Sequence, residues 1–302
     1  MKIVVIGSGA MGSLYGGYLS QKNEVYLIDT DSEKVEAINK NGIMIKEREG
    51  DNTFYPKALS DSSGIGTADL IILFVKALFS KAALKNNKSL IGENTYVLTL
   101  QNGSGHEEIL REFVSEDHII IGTTQHNASI IGTGQISHGG SGKTTIGMIG
   151  KENKQLFPIK ESFESCGFDT AISDNIQKII WDKLFTNVSA SVMTGVLQVK
   201  LGYLIDNEHG FFLVKRLVKE AVEVANGDGM NFDEPEVLEK VKEVLINAHE
   251  GYTSIYADIR DKRKTEVDTI SGYVVSASKR NGVPAPTHEF VVELVHALEE
   301  KE

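Results

Sequence analysis

Lys2-Ile3-Val4-Val5-Ile6 runs straight into Gly7-Ser8-Gly9-Ala10-Met11-Gly12, and the reading of this stretch decides the fold. The first five residues are short, apolar and β-branched, the pattern of a buried parallel strand. The next six are a complete G-x-G-x-x-G. In such a turn Gly7 permits the tight reversal, Gly9 lets a pyrophosphate approach the backbone, and Gly12 lets the following helix lie close on the strand. Ser8, Ala10 and Met11 complete the turn, and the free N–H groups at the start of the helix face the phosphates. A second strand, Glu24-Val25-Tyr26-Leu27-Ile28, ends in Asp29, about 20 residues beyond the turn, where a ribose-reading acid belongs. Strand, glycine turn, helix, strand and acid in this order predict a dinucleotide site. The Asp29 carboxylate would accept from the 2′-OH of NAD(H) and repel a 2′-phosphate, which places NADP(H) second. The competing reading makes Asp29 an N-cap or turn residue ahead of a helix near Ser32 to Lys40.

Composition narrows the classes. The 302 residues suffice for two domains, with 41% hydrophobic and 24% charged residues, as in ordinary globular proteins. A net charge of -11 argues against a nucleic-acid surface, which needs clustered Lys and Arg. Cys166 is the only cysteine, so disulfide frameworks and cysteine-based metal sites are excluded and a cytoplasmic location is expected. The histidines show no metal-ligand spacing, so no metal is expected. The apolar start is too short for a signal peptide, and no run approaches the roughly 20 apolar residues of a membrane span.

Beyond Asp29 the α/β pattern continues, with a helix from about Ser32 to Asn41 stopped by Asn41-Gly42. Asp69 to Val75 and Tyr96 to Leu100 read as further strands. They end in Lys76 and in Gln101-Asn102-Gly103, at the carboxyl ends that line the ligand crevice of an open parallel sheet. From Ile119 to Ile149 glycines and short β-prone pieces suggest the far part of the sheet with antiparallel strands. Gly142-Lys143-Thr144 resembles the end of an NTPase phosphate loop. Ser137 stands where that motif needs a glycine, and a strand-like run follows, so the loop is rejected. After Cys166-Gly167-Phe168 helical periodicity takes over. Helices are expected from Ile176 to Val188, around Phe212 to Val222, over Glu234 to Asn247, Thr253 to Arg263 and Val267 to Lys279, with Pro284 and Pro286 opening a last one. The expected architecture is α/β: an N-terminal Rossmann-type dinucleotide-binding domain (1–172) followed by an all-helical C-terminal domain (173–302) for substrate and dimerisation.

Three stretches coincide with one family. The turn Gly7 to Gly12 heads the chain, Trp181-Asp182-Lys183-Leu184-Phe185-Thr186-Asn187 opens the helical part, and Ser254-Ile255-Tyr256-Ala257-Asp258-Ile259-Arg260 leads into Thr265-Glu266-Val267-Asp268. Together they resemble the ketopantoate reductase (2-dehydropantoate 2-reductase) family over nearly the whole chain. That resemblance implies reduction of the C2 ketone of ketopantoate to D-pantoate, in pantothenate biosynthesis, usually with NADPH. It implies Lys183 as catalytic lysine and Glu266 as the supporting carboxylate, which also touches the cofactor. It implies Asn102, Asn187, Ser191 and Ser254 on the substrate, and Lys76 and Asn102 on the cofactor. The residue types suit the chemistry: an ammonium stabilises a developing alkoxide and can hand it a proton. Asn187, four residues after Lys183, falls on the same helical face.

Taken alone, Lys183 and Glu266 would read as solvated charges, Asn187 as a residue facing water, and Trp181 as core packing. His126 is the alternative acid/base. The chain departs from the family's pattern in three places. Asp29-Thr30-Asp31 stands where many members carry an arginine for the 2′-phosphate, Ser191 replaces a second asparagine, and Gly251 stands where an amide is common. Some relatives are NAD-dependent D-2-hydroxyacid (D-mandelate-like) dehydrogenases, and this is the alternative activity. The second alternative is a non-catalytic NAD(H)-binding sensor. The expected partner is a small 2-oxo acid, with no nucleic acid and no membrane, and the apolar helical faces suggest a homodimer.

Overall fold

The computed structural model describes residues 1–149 and 153–301. The chain divides into two compact units, residues 1–101 with 106–176, and residues 102–105 with 177 onward. Each is built on its own apolar core.

The strands of the first unit are β1 (Lys2–Ile6), β2 (Glu24–Ile28), β3 (Ile43–Glu47), β4 (Gly50–Phe54), β5 (Lys57–Leu59), β6 (Leu70–Leu73), β7 (Tyr96–Thr99), β8 (Ile119–Thr124), β9 (Asn127–Gly132), β10 (Gln135–Gly140), β11 (Thr144–Met148) and β12 (Thr170–Ile172). Eight of them form one sheet in the order β12-β11-β8-β7-β6-β1-β2-β5. From β5 to β8 every pairing is parallel, with Val4 opposite Tyr26 on one side and Ile71 on the other. The order β5-β2-β1-β6-β7-β8 is the doubly wound 3-2-1-4-5-6, which reverses direction between β1 and β6. Both faces of these central strands are covered, so β6 is an unbroken apolar run rather than an alternating one.

Antiparallel pairing appears as expected between β8 and β11. The rest of the 119–149 stretch does not belong to this sheet, which corrects the sequence reading. β9 and β10 join β3 and β4 in a separate four-stranded sheet, β4-β3-β10-β9. The decisive pairing is β10 on β3, with Ile136 opposite Ile45, a match between segments far apart in sequence. Helix α1 (Ala10–Leu19) packs on both sheets. A Cβ at Gly16 would lie 2.7 Å from Leu27 of the large sheet, and one at Gly17 would lie 3.2 Å from Ile45 of the small one. A helix buried this way has no polar face, so its sequence carries no amphipathic signal for the second layer. The first unit also holds α2 (Ser32–Asn41), α3 (Ser80–Asn86), α4 (His106–Leu110) and α5 (Phe157–Ser165).

In the second unit, the described residues from 177 form only helices and turns. They are α6 (Ile176–Thr186), α7 (Val192–Leu197), α8 (Leu201–Asp206), α9 (Glu208–Gly227), α10 (Glu234–Asn247), α11 (Ser254–Arg260), α12 (Ser271–Asn281) and α13 (Pro286–Glu299). Asn207, Asp233 and Thr253 cap α9, α10 and α11 through their side chains. Trp181 is buried against Phe185 and Tyr273, in the core as its bland reading had it.

Two helical expectations need correction. The helix expected over Val267 to Lys279 begins only at Ser271, and the one over Thr253 to Arg263 stops at Arg260. Residues 266–270 form a turn in which the N–H groups of Thr269 and Ile270 both donate to Glu266 O at 3.1 Å. Val267 and Ile270 are both buried there, and their i, i+3 spacing imitates a helical stripe. Between α6 and α7, Asn187–Ser191 forms a π-helical turn.

Candidate active site

In the first unit each motif glycine answers a different constraint. Gly7 has φ +100, and a Cβ on it would lie 2.8 Å from Val75 N, so the turn presses on the end of β6. A Cβ on Gly12 would come within 1.8 Å of Gly7 O, so only glycine lets α1 sit against β1. At Gly9 a Cβ would meet nothing within 4 Å. The protein itself does not demand a glycine there, whereas an approaching pyrophosphate does. Gly9 is also the N-cap of α1, with no side-chain cap and no acid in the first turn, so the helix start is left for an anion.

Asp29 is held in place. Its Oδ2 accepts from the N–H and Oγ of Ser8 at 2.9 and 2.6 Å and from Lys34 Nζ at 3.2 Å, and its Oδ1 accepts from Asp31 N at 3.0 Å. Burial works against its charge, but these donors win and its pKa lies below the usual carboxylate value. Oδ1 retains a lone pair for a further donor. The helix cap is Asp31, which accepts from Lys34 N, so Asp29 is not the N-cap of α2.

Lys76 opens a short 3₁₀ turn, Ala77–Phe79, at the carboxyl end of β6. The backbone beside it is fastened by buried Gln101, whose amide donates to Val75 O at 2.6 Å and to Ser80 Oγ at 2.8 Å. Sequence reasoning noted Gln101 only as a strand end.

The second unit gathers the other predicted residues. Lys183, on α6, is half-buried, and its Nζ donates to Asn102 Oδ1 at 3.2 Å. Crowding around the ammonium lowers its pKa to about 8, while the charge of Glu266 pulls the other way. Glu266 begins the turn that contacts Asn102: Thr269 Oγ1 donates to Asn102 O at 3.3 Å and Ser104 N donates to Thr269 O at 2.9 Å. Gly103 makes this approach possible, with φ +92 and a Cβ position only 2.3 Å from Thr269 O. On the π turn, Ser191 Oγ donates to Asn187 Oδ1 at 3.4 Å. Exposed Ser254 starts α11, and the preceding Thr253 ties that start to α7 through Thr194 Oγ1 at 2.8 Å and to the π turn through Ser191 O at 3.4 Å. Thr253 and Thr269 were not anticipated, because each acts through a partner distant in sequence.

His126 lies in the first unit, in a chain of polar contacts. Its Nδ1 faces His138 Nε2 at 3.0 Å, and His138 Nδ1 faces Glu47 Oε1 at 2.7 Å. Burial lowers the His126 pKa to about 4, and at neutral pH it joins β8–β9 to the small sheet as a neutral ring. Among the described residues no group of His, Cys, Asp and Glu is arranged to hold a metal ion, and no helix is long and apolar enough to cross a membrane.

A doubly wound parallel sheet that opens on a glycine turn is the fold of a dinucleotide-binding protein. Residues 3–151 match the family model for ketopantoate reductase PanE/ApbA, and residues 175–299 match that for its C-terminal domain. The chain belongs to the ketopantoate reductase family, oxidoreductases that act on a CH–OH group with NAD(P). It is 30% identical over 302 residues to a 2-dehydropantoate 2-reductase of Streptococcus pyogenes serotype M3, covering 99% of this chain and 98% of that one. A 2-dehydropantoate 2-reductase of Pyrococcus horikoshii is 33% identical, with 99% and 98% covered. Among solved structures, a D-mandelate dehydrogenase with NADH and anilino(oxo)acetate superimposes with a TM-score of 0.93 at 33% identity, covering 99% of this chain and 98% of its own.

Proposed function

We propose that the chain reduces the C2 ketone of ketopantoate to D-pantoate, and the observation that carries this is the Lys183 ammonium held by Asn102 under the charge of Glu266. A bound nicotinamide dinucleotide would supply the hydride for the ketone carbon. Lys183 stabilises the negative charge growing on the ketone oxygen and transfers its proton there, then regains one from solvent. With a pKa of about 8, Lys183 is mostly charged at neutral pH and still a competent acid. Asn187, Ser191 and Ser254 hold the substrate's carboxylate and polar groups. Gly7 to Gly12 and Lys76 hold the dinucleotide, and Asn102 and Glu266 serve both ligands. Asp29 favours NAD(H), with NADP(H) second because Lys34 lies against it as a ready cation. The protein acts in the cytoplasm as a homodimer, whose mass in solution is checked by light scattering.

The D-mandelate dehydrogenase likeness supports a second reading, NAD-dependent reduction of bulkier, more apolar 2-oxo acids. Ser191, in the place of an amide, removes a polar contact that discriminates for ketopantoate. Cofactor oxidation is measured with NADH and NADPH separately, against ketopantoate and benzoylformate. Fast ketopantoate reduction supports the first reading. NADH-dependent benzoylformate reduction with poor ketopantoate use replaces it with the second, and NAD(H) binding without any turnover leaves a sensor.

A further inference from the structure

Glu299 is the last residue of α13, and its side chain is only 2% exposed. A carboxylate at a helix C-terminus opposes the helix dipole, and burial adds to the cost. The donors that offset this come mostly from outside the helix. Thr265 supplies its N–H at 2.7 Å and its Oγ1 at 2.6 Å to Oε1, and Lys264 Nζ donates to Oε2 at 3.2 Å. His296, one turn earlier on α13, places Nδ1 3.2 Å from Glu299 Oε2 and Nε2 3.0 Å from Asp268 Oδ1. Both ring nitrogens face carboxylate oxygens, which only accept, so the ring bridges them as an imidazolium.

These contacts bracket one residue. Thr265, immediately before Glu266, and Asp268, two positions after it, are both tied to α13. On its other side the same loop is tied through Thr269 to Asn102, whose side chain holds Lys183. We infer that Glu299 is a positioning residue: by holding the 264–268 loop against α13 it keeps the Glu266 carboxylate within electrostatic reach of Lys183. The inference rests on the reading of Lys183 and Glu266 as the residues that act on the 2-oxo acid. Glu299 acts through the loop.

The test compares Glu299→Ala, Glu299→Gln, Thr265→Val and Thr265→Ser. With ketopantoate and NADH, Glu299→Ala lowers kcat roughly 10- to 100-fold, the scale of a small misplacement in an active site. Glu299→Gln keeps an acceptor for Thr265 and retains most of the rate. Thr265→Val loses part of the rate and Thr265→Ser restores it. The second readout is the Lys183 pKa, taken from the pH dependence of its acetylation by acetic anhydride and followed by mass spectrometry. It falls below its starting value of about 8 in Glu299→Ala, because Glu266 no longer supports the ammonium, whereas a merely structural contact would leave it in place. An unmoved Lys183 pKa in the folded variant overturns the inference, and if Glu299→Ala does not fold, Thr265→Val decides. A wild-type protein that turns over no 2-oxo acid, but whose Lys183 pKa still falls on Glu299→Ala, would remove the functional reading and leave the clamp standing.

Discussion

Lys183 Nζ donates to Asn102 Oδ1 at 3.2 Å, across 81 positions of sequence. The contact aims the ammonium from a turn whose own backbone is held by Thr269. Lys183→Ala is therefore expected to lower kcat by roughly 10³-fold, the scale for losing a group that stabilises transition-state charge. Dinucleotide affinity should fall far less than turnover, because the glycine turn stays intact. Steady-state kinetics with a fluorescence titration of NADH check this, and unchanged turnover would remove Lys183 from the mechanism.

The same ammonium sets the pH dependence. Reduction needs Lys183 protonated, so kcat for reduction should fall as pH rises through about 8. Oxidation of the hydroxy acid needs the neutral amine, so its rate should rise over the same interval. Glu266→Gln should move both profiles to lower pH, because the carboxylate charge holds the Lys183 pKa up. Profiles flat between pH 7 and 9 in both directions would mean that another group carries the proton.

Gly9 and Gly12 should separate binding from folding. Gly9→Ala adds a methyl into open space, so its melting temperature should stay near wild type while dinucleotide affinity drops by roughly 10-fold, because the backbone is pushed off the pyrophosphate. Gly12→Ala forces a Cβ to 1.8 Å from Gly7 O and should destabilise the first unit outright. Equal NADH affinity in Gly9→Ala would show that no phosphate approaches that backbone.

Cofactor choice is expected to turn on Asp29. Asp29→Ala removes the anion and frees Lys34, so the ratio of kcat/KM for NADPH over NADH should rise, by roughly 10-fold for about 1.4 kcal/mol of relieved repulsion. The measurement is that ratio in the variant and the parent. If the parent uses both cofactors equally, Asp29 only organises the Ser8 turn.

His288 predicts acid sensitivity in the helical unit. It is fully buried, its Nε2 faces Leu217 O at 3.0 Å, its Nδ1 has no hydrogen-bond partner, and burial lowers its pKa to about 4. The unfolded chain takes up this proton near pH 6.5, whereas the folded one resists until about 4. Stability is therefore complete above 6.5 and lost as pH falls from 6.5 towards 4, by up to about 3 kcal/mol from this group. Urea unfolding at pH 7 and 4.5, with NMR titration of the His288 ring, checks it. A ring titrating near 6.5 in the folded protein would contradict it.

What the sequence determined by itself was the part of the structure that rests on near neighbours with a distinctive pattern. The run from Lys2 to Gly12 encodes strand, turn and helix because each glycine answers a local steric demand, and Asp29 follows because the next strand must end beside that turn. β6 was legible as an unbroken apolar run and β7 as a short β-prone one, and Lys76 and Asn102 as polar residues at their ends. Lys183 and Asn187 could be paired because helical spacing is fixed. The sequence did not show that β9 and β10 leave the large sheet, since that rests on Ile136 pairing with Ile45, a partner far away in sequence. It did not show the turn at 266–270, whose buried Val267 and Ile270 have the same spacing as a helical stripe. Nor could it distinguish Glu299 from any solvated acid at a helix end. A charge has a function only through its partners, and the partners of Glu299, Asn102 and Thr269 are brought to them by the tertiary fold.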